Sequence, residues 1–128
     1  MSKVLSIQEL IAQKEKIKNK KAKVATLYVE SLESNIVVCS PGTADMLEAQ
    51  SAGDKDAARA DSYLLLQCVK EPNLKSGELQ KAYGCIEPLD IVPAIFLPGE
   101  VSAIAIEIMK LAGYGSSVSK VGSDIKNS

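Results

Sequence analysis

Hydrophobic positions change their spacing several times along this chain, and each change predicts an element. Ile7, Leu10 and Ile11, with Ile17 beyond them, fall at helical spacing. They follow Ser6-Ile-Gln-Glu9, which matches a capping box: the Ser6 hydroxyl and the Glu9 carboxylate can each satisfy the other's backbone N–H. A helix over about 7–19 is expected, ending in a lysine cluster near Asn19. The period then shortens. Residues 24–30 and 36–39 are β-prone runs, and SLESN between them can turn the chain, which predicts a hairpin over 23–31 and 35–40. Two inward sets fit, Val24 with Tyr28 or Leu27 with Val29, and the alternation does not choose between them. A lone two-stranded ribbon is marginal in water, so it must lie on helices or gain strands.

The helical period returns after Ser40-Pro-Gly-Thr43. Thr43 is the expected N-cap of a helix over 44–50, with Met46 and Leu47 inward. Ser51-Ala-Gly-Asp54 reads as a break, and Asp54 as the cap of a longer helix over 55–70. In that helix Leu64-Leu65-Leu66 covers more than one face, which marks it as central. Ser76 can cap a helix over 77–83 that stops at Gly84. Glu87-Pro88 opens a piece over 88–97 presenting Leu89, Val92, Ile95 and Phe96, with Pro93 near its first turns. Pro98 opens the last helix, to about 112, where Val101, Ile104, Ala105, Ile108 and Leu111 form the apolar stripe and Gly113 is the expected left-handed stop. Ile106 and Met109 lie off that stripe, so this helix is apolar nearly all round. Covered by other helices on both sides it is core; left open it is a face for another chain. The fold class expected is α+β, predominantly α: a compact bundle of five or six short helices with a small antiparallel hairpin. Residues 1–115 read as one domain, and the Ser/Gly-rich 116–128 as a flexible tail.

Composition narrows the chemistry. The chain has 128 residues, enough for a core without staples, and its only aromatic rings are four tyrosines and one phenylalanine. Leu, Ile, Val and Ala must fill the core, and stacking platforms for single-stranded nucleic acid are missing. No run is long enough to span a bilayer, and no signal peptide is visible, so a soluble cytoplasmic protein is expected. The net charge of −1 hides an asymmetry. Residues 1–23 carry Lys3, Lys14, Lys16, Lys18, Lys20, Lys21 and Lys23 against Glu9 and Glu15, a balance of +5, which leaves −6 for the rest. Such an arm can attract an anionic partner, or can simply complement a helix C-terminus.

The chain contains no histidine, which removes Ser-His-Asp and Cys-His nucleophiles. Cys39, Cys68 and Cys85 are widely spaced, with no CxxC, so neither a metal site nor a disulfide framework is expected. Asp54-Lys-Asp56 lacks the glycine and terminal glutamate of a calcium loop, and Gly113-Tyr-Gly115 lacks the lysine of a phosphate loop. Nothing in the residues names a reaction or a cofactor.

Ordered local matches do suggest a family. They are VKEPNLKSGELQKAYG (69–84), then Glu87-Pro-Leu-Asp-Ile-Val92, then Phe96-Leu-Pro-Gly-Glu100 leading into 104–113, with Tyr28-Val-Glu-Ser31, its following strand and Ser40-Pro41 upstream. Across most of 5–115 the chain resembles the XkdN-like phage tail assembly chaperones. The resemblance implies a small, mainly helical protein without catalysis that binds the tape-measure protein and recruits tail-tube subunits, and is absent from the finished virion. It also implies that a frameshifted extension could follow the tail. On this reading Leu89, Val92, Phe96, Val101, Ile106 and Met109 frame the partner-binding surface, with no cofactor, metal, nucleic acid or membrane, and with homo-oligomerisation open. Two rivals remain. One is a structural tail-completion or connector protein. The other is a helix-turn-helix regulator built on 77–83 and 88–97, disfavoured because the second piece carries Asp90 and no Lys or Arg.

Overall fold

The computed structural model describes residues 3–115 and 117–121. The hairpin forms where the β-prone runs predict it. Strand β1 (Val24–Val29) pairs antiparallel with β2 (Ser34–Cys39) in the register Val24↔Cys39 to Val29↔Ser34. The turn between them is a single 3-10 turn over Glu30–Leu32, closed by Glu33 at φ 50°. Ala25, Leu27, Val29, Ile36 and Val38 face the core, which settles the inward set in favour of Leu27 and Val29; Val24 and Tyr28 face solvent. A third strand, β3 (Val69–Glu71), extends the sheet in the order β1-β2-β3, pairing Val38↔Val69 and Val37↔Glu71 across a bulge. It is too short for period-2 alternation to reveal, and the sequence reading merged it into the preceding helix.

Seven helices accompany this sheet among the described residues. The predicted N-terminal helix is two pieces, α1 (Ile7–Ala12) and α2 (Lys14–Asn19), broken at Gln13. The capping box is present: Glu9 N–H donates to Ser6 Oγ at 3.2 Å, and Ser6 N–H to Glu9 Oε1 at 3.0 Å. Neither piece buries a residue, so no core face holds one continuous helix together.

Helix α3 (Thr43–Lys55) runs straight through the expected break. Its N-cap is Gly42, whose N–H donates to Asp45 Oδ2 at 3.0 Å, and not Thr43. The cap of α4 (Ala57–Cys68) is Asp56, which accepts from Ala58 N–H at 3.1 Å, and not Asp54. Gly53 misled the reading because glycine usually interrupts helices. Here it serves the contact between α3 and α4: a Cβ at Gly53 would sit 3.1 Å from Ala60 Cβ.

Helix α4 is central, as its leucine triplet implied. Leu64, Leu65, Leu66 and Cys68 are buried, and α3, α6, α7 and β3 all pack on it. Ser76 caps α5 (Gly77–Ala82) through Leu79 N–H, and Gly84 at φ 67° ends it, with Gly84 N–H to Lys81 O and Cys85 N–H to Gln80 O, both 3.0 Å. The expected 88–97 helix is a 3-10 turn (Pro88–Asp90) followed by the five-residue α6 (Ile91–Ile95). It buries Ile91 and Val92 and offers no recognition helix to a nucleic-acid groove. Helix α7 (Pro98–Leu111) buries Ile104, Ala105 and Ile108 against α4 and the sheet. The α+β, mainly helical class is as the sequence reading has it. The flexible tail expected over 116–128 falls largely outside the described residues.

Candidate partner-binding surface

Three carboxylates and a proline shape the corner where α6 meets α7. Asp90 Oδ2 accepts from Ile86 N–H at 3.0 Å and Glu87 N–H at 2.9 Å, fixing the turn into α6. Glu87 also holds Arg59 of α4 at 2.7 Å, which anchors that turn to the central helix. The chain then becomes extended at Phe96 and Leu97, and Pro98 supplies the first residue of α7, where a missing N–H costs nothing. Glu100 Oε1 accepts from Leu97 N–H and from the Ser31 hydroxyl, each at 2.9 Å, so the start of α7 is tied to the hairpin turn. These donors hold the Glu100 carboxyl below the usual glutamate value, the Leu97 N–H contributing most. Across the corner the helix direction turns by 113°. At its far end α7 closes in a full left-handed cap: Gly113 (φ 93°) N–H donates to Lys110 O at 3.0 Å, and Tyr114 N–H to Met109 O at 3.2 Å.

The six residues predicted for partner binding are graded in depth across this corner. Val92 and Phe96 lie inside the core at 0% and 3% exposure. Leu89, Val101 and Met109 pack half-buried against it. Ile106 is 50% exposed on the outer side of α7. The inner residues therefore hold the corner rigid while Ile106 presents an apolar side chain outward. Leu97 joins it at the corner, 58% exposed, and was missed by the sequence reading. It is the N-cap residue, where the side chain leaves both helix stripes, a position periodicity does not see.

Two further apolar features lie elsewhere on the molecule. A groove of about 950 Å³ lies between the start of α3, the end of α7 and the end of the N-terminal arm, with Met46, Leu64 and Met109 among its walls and Lys20, Lys21 and Lys23 at its rim. Ser40 fixes that end of the arm, donating its hydroxyl to Lys21 O at 2.6 Å and accepting from Lys23 N–H at 3.2 Å. Asp61 also lines the groove, and burial there raises its carboxyl above the usual aspartate range. The second feature is the arm itself: Val4, Leu5, Ile7, Leu10 and Ile11 are all exposed, Ile7 at 71% and Ile11 at 68%. Their helical spacing was legible; that they stand exposed was not.

Among the described residues the other shifted ionisable groups lie apart from this surface. Cys68 is fully buried, which chiefly accounts for a thiol pKa pushed up to about 12, with Cys39 and Asp45 adding to the shift. Among the described residues no group of three or more Cys, Asp or Glu side chains could hold a metal ion, and no single helix is long and apolar enough to cross a membrane.

Comparison with known proteins identifies the relatives of this fold. The family model for phage XkdN-like tail assembly chaperone proteins matches residues 3–126. The crystal structure of the protein YqbN superposes with a TM-score of 0.59 at 15% identity, over 74% of this chain and 88% of that one, which is a likeness of fold. No curated protein sequence matches.

Proposed function

We propose, from the premise that the chain belongs to the family of XkdN-like phage tail assembly chaperones, that it holds helical segments of the tape-measure protein and recruits tail-tube subunits around them as the tail grows. The role in phage tail assembly comes with the family; the clients are the proposal. The observation that carries it is the corner of α6 and α7, where buried Val92 and Phe96 stiffen a backbone that leaves Leu97 and Ile106 in solvent. Exposed apolar side chains on a rigid frame suit reversible capture of an apolar helix, because the frame loses little conformational freedom on binding. Charged neighbours Glu107 and Lys110, paired on the same helix at 3.4 Å, supply a polar rim that favours release. Binding, with no chemical step, is the whole of the activity proposed.

Co-expression with the tape-measure protein of the same phage, scored by the amount remaining in the soluble fraction, tests this reading. The wild-type chain is expected to keep the tape-measure protein soluble and to co-purify with it. Leu97→Asp with Ile106→Asp, which alters only exposed side chains, is expected to abolish capture while the fold is retained. Unchanged capture by the folded variant, or stoichiometric retention of the chain in purified mature particles, refutes the reading.

A further inference from the structure

We infer that the N-terminal arm, residues 4–20, is a second docking element, and that its partner is an apolar protein helix flanked by acidic side chains. Ile7, Leu10 and Ile11 stand at i, i+3 and i+4, so they form one stripe on α1, and Val4 and Leu5 add exposed apolar side chains in the non-helical segment before the Ser6 cap. Every one of them is exposed, and neither α1 nor α2 packs extensively on any other element. A six-residue helix is too short to be stable by itself in water. This one is nonetheless built to form, since its first turn carries the complete capping box and the Lys3–Glu9 ion pair.

Charge then specifies what fits the stripe. Lys14, Lys16, Lys18 and Lys20 follow within ten residues of Ile11, and none of their side chains forms an ion pair among the described residues. Of the arm's two acids, Glu9 is already engaged by Lys3 and by the Ser6 N–H and hydroxyl, and these hold its carboxyl below the usual value. The arm thus offers an apolar stripe followed by unneutralised cations, and the complementary surface is an apolar stripe with carboxylates beside it. A membrane fits less well: the stripe spans about two helical turns, and the arm contains no aromatic residue and no arginine. A nucleic acid would use the lysines and leave the isoleucines without a role. The inference rests on the chaperone reading only for the partner being a protein.

The test uses the full chain and two synthetic helical peptides, each with a leucine face, one flanked by glutamates and one by lysines. Fluorescence anisotropy at low salt is expected to show the glutamate-flanked peptide binding at least tenfold tighter, with affinity falling as salt rises. Ile7→Asp with Ile11→Asp should lower that affinity at least tenfold, and so should Lys14→Glu with Lys18→Glu. Both variants should keep the wild-type circular dichroism spectrum and melting temperature, because no buried residue is touched. The inference is overturned by equal affinity for the two peptides, by unchanged affinity in either variant, by tighter binding to vesicles rich in phosphatidylglycerol or to duplex DNA, or by a dimer that the arm variants dissociate. A parallel co-expression separates it from the reading above. If the wild-type chain fails to solubilise the tape-measure protein, the chaperone proposal fails; if the wild type succeeds and both arm variants succeed equally, the arm inference alone fails.

Discussion

Gly53 offers a sharp test of the α3–α4 contact. Replacing glycine by alanine inside a helix normally stabilises it by about 1 kcal/mol, because the free chain loses less entropy on folding. At Gly53 the added Cβ would meet Ala60 Cβ at 3.1 Å, tighter than an ordinary carbon–carbon contact. Relief requires α3 and α4 to move apart by a few tenths of an ångström. Helix α4 resists, since Leu64 and Leu65, about one turn beyond Ala60, are fixed in the core at 2% and 0% exposure. Overpacking between rigid groups costs about 1–3 kcal/mol, so Gly53→Ala should destabilise the protein by about 1 kcal/mol net. In an Ala60→Gly background the obstacle is gone, and the same substitution should stabilise by about 1 kcal/mol. The coupling in this double-mutant cycle is therefore about 2 kcal/mol. Urea unfolding followed by circular dichroism measures all four proteins, with equal m-values required. If Gly53→Ala stabilises equally in both backgrounds, the helices are not in close approach there and the account of Gly53 is wrong.

Other outcomes can be stated more briefly. Ile108→Ala and Leu65→Ala each empty a fully buried site and should cost about 2–5 kcal/mol in the same assay. The Cys68 thiol, buried and with its pKa pushed up to about 12, should resist a thiol reagent at pH 8 in the native protein and react only on unfolding, after the half-buried Cys39 and Cys85. Glu100 has a lowered carboxyl pKa in the folded chain, so the stability it contributes is present above the unfolded value of about 4.3 and is lost as pH falls through the folded value. Glu100→Gln should lower the melting temperature at pH 7 and lessen its decline in acid. Asp61 has the opposite shift: burial favours its neutral form, so it opposes folding near neutrality, and Asp61→Asn should raise the melting temperature at pH 7 but change it less at pH 3.

How far the sequence reveals this molecule depends on the range of each signal. Local devices were legible: the Ser6–Glu9 capping box, the Ser76 cap, the glycine stops at Gly84 and Gly113, and the two hairpin strands all follow from residues within one or two turns of one another. Errors arose where a distant partner decides. Gly53 reads as a breaker until Ala60 is seen across from it, and 69–70 reads as helix until β2 is seen beside it. The candidate surface divides in the same way. Periodicity picked out Ile106 and Met109 as lying off the α7 stripe, yet only packing shows that Met109 is half covered, that Val92 and Phe96 are interior, and that Leu97 and the arm's isoleucines are not.

Strand β1 is the outermost member of the sheet, and among the described residues no other strand pairs along its far side. Such a border is an open template on which identical molecules can stack by main-chain pairing. Here the exposed border is only six residues long, and a copy adding in antiparallel register would set Lys23 of each chain against Glu30 of the other, an attractive pair at both ends. Shortness is therefore what guards this border, and Glu30→Lys, which would set lysine against lysine at both ends of a stacked pair, is the change that most discourages fibres.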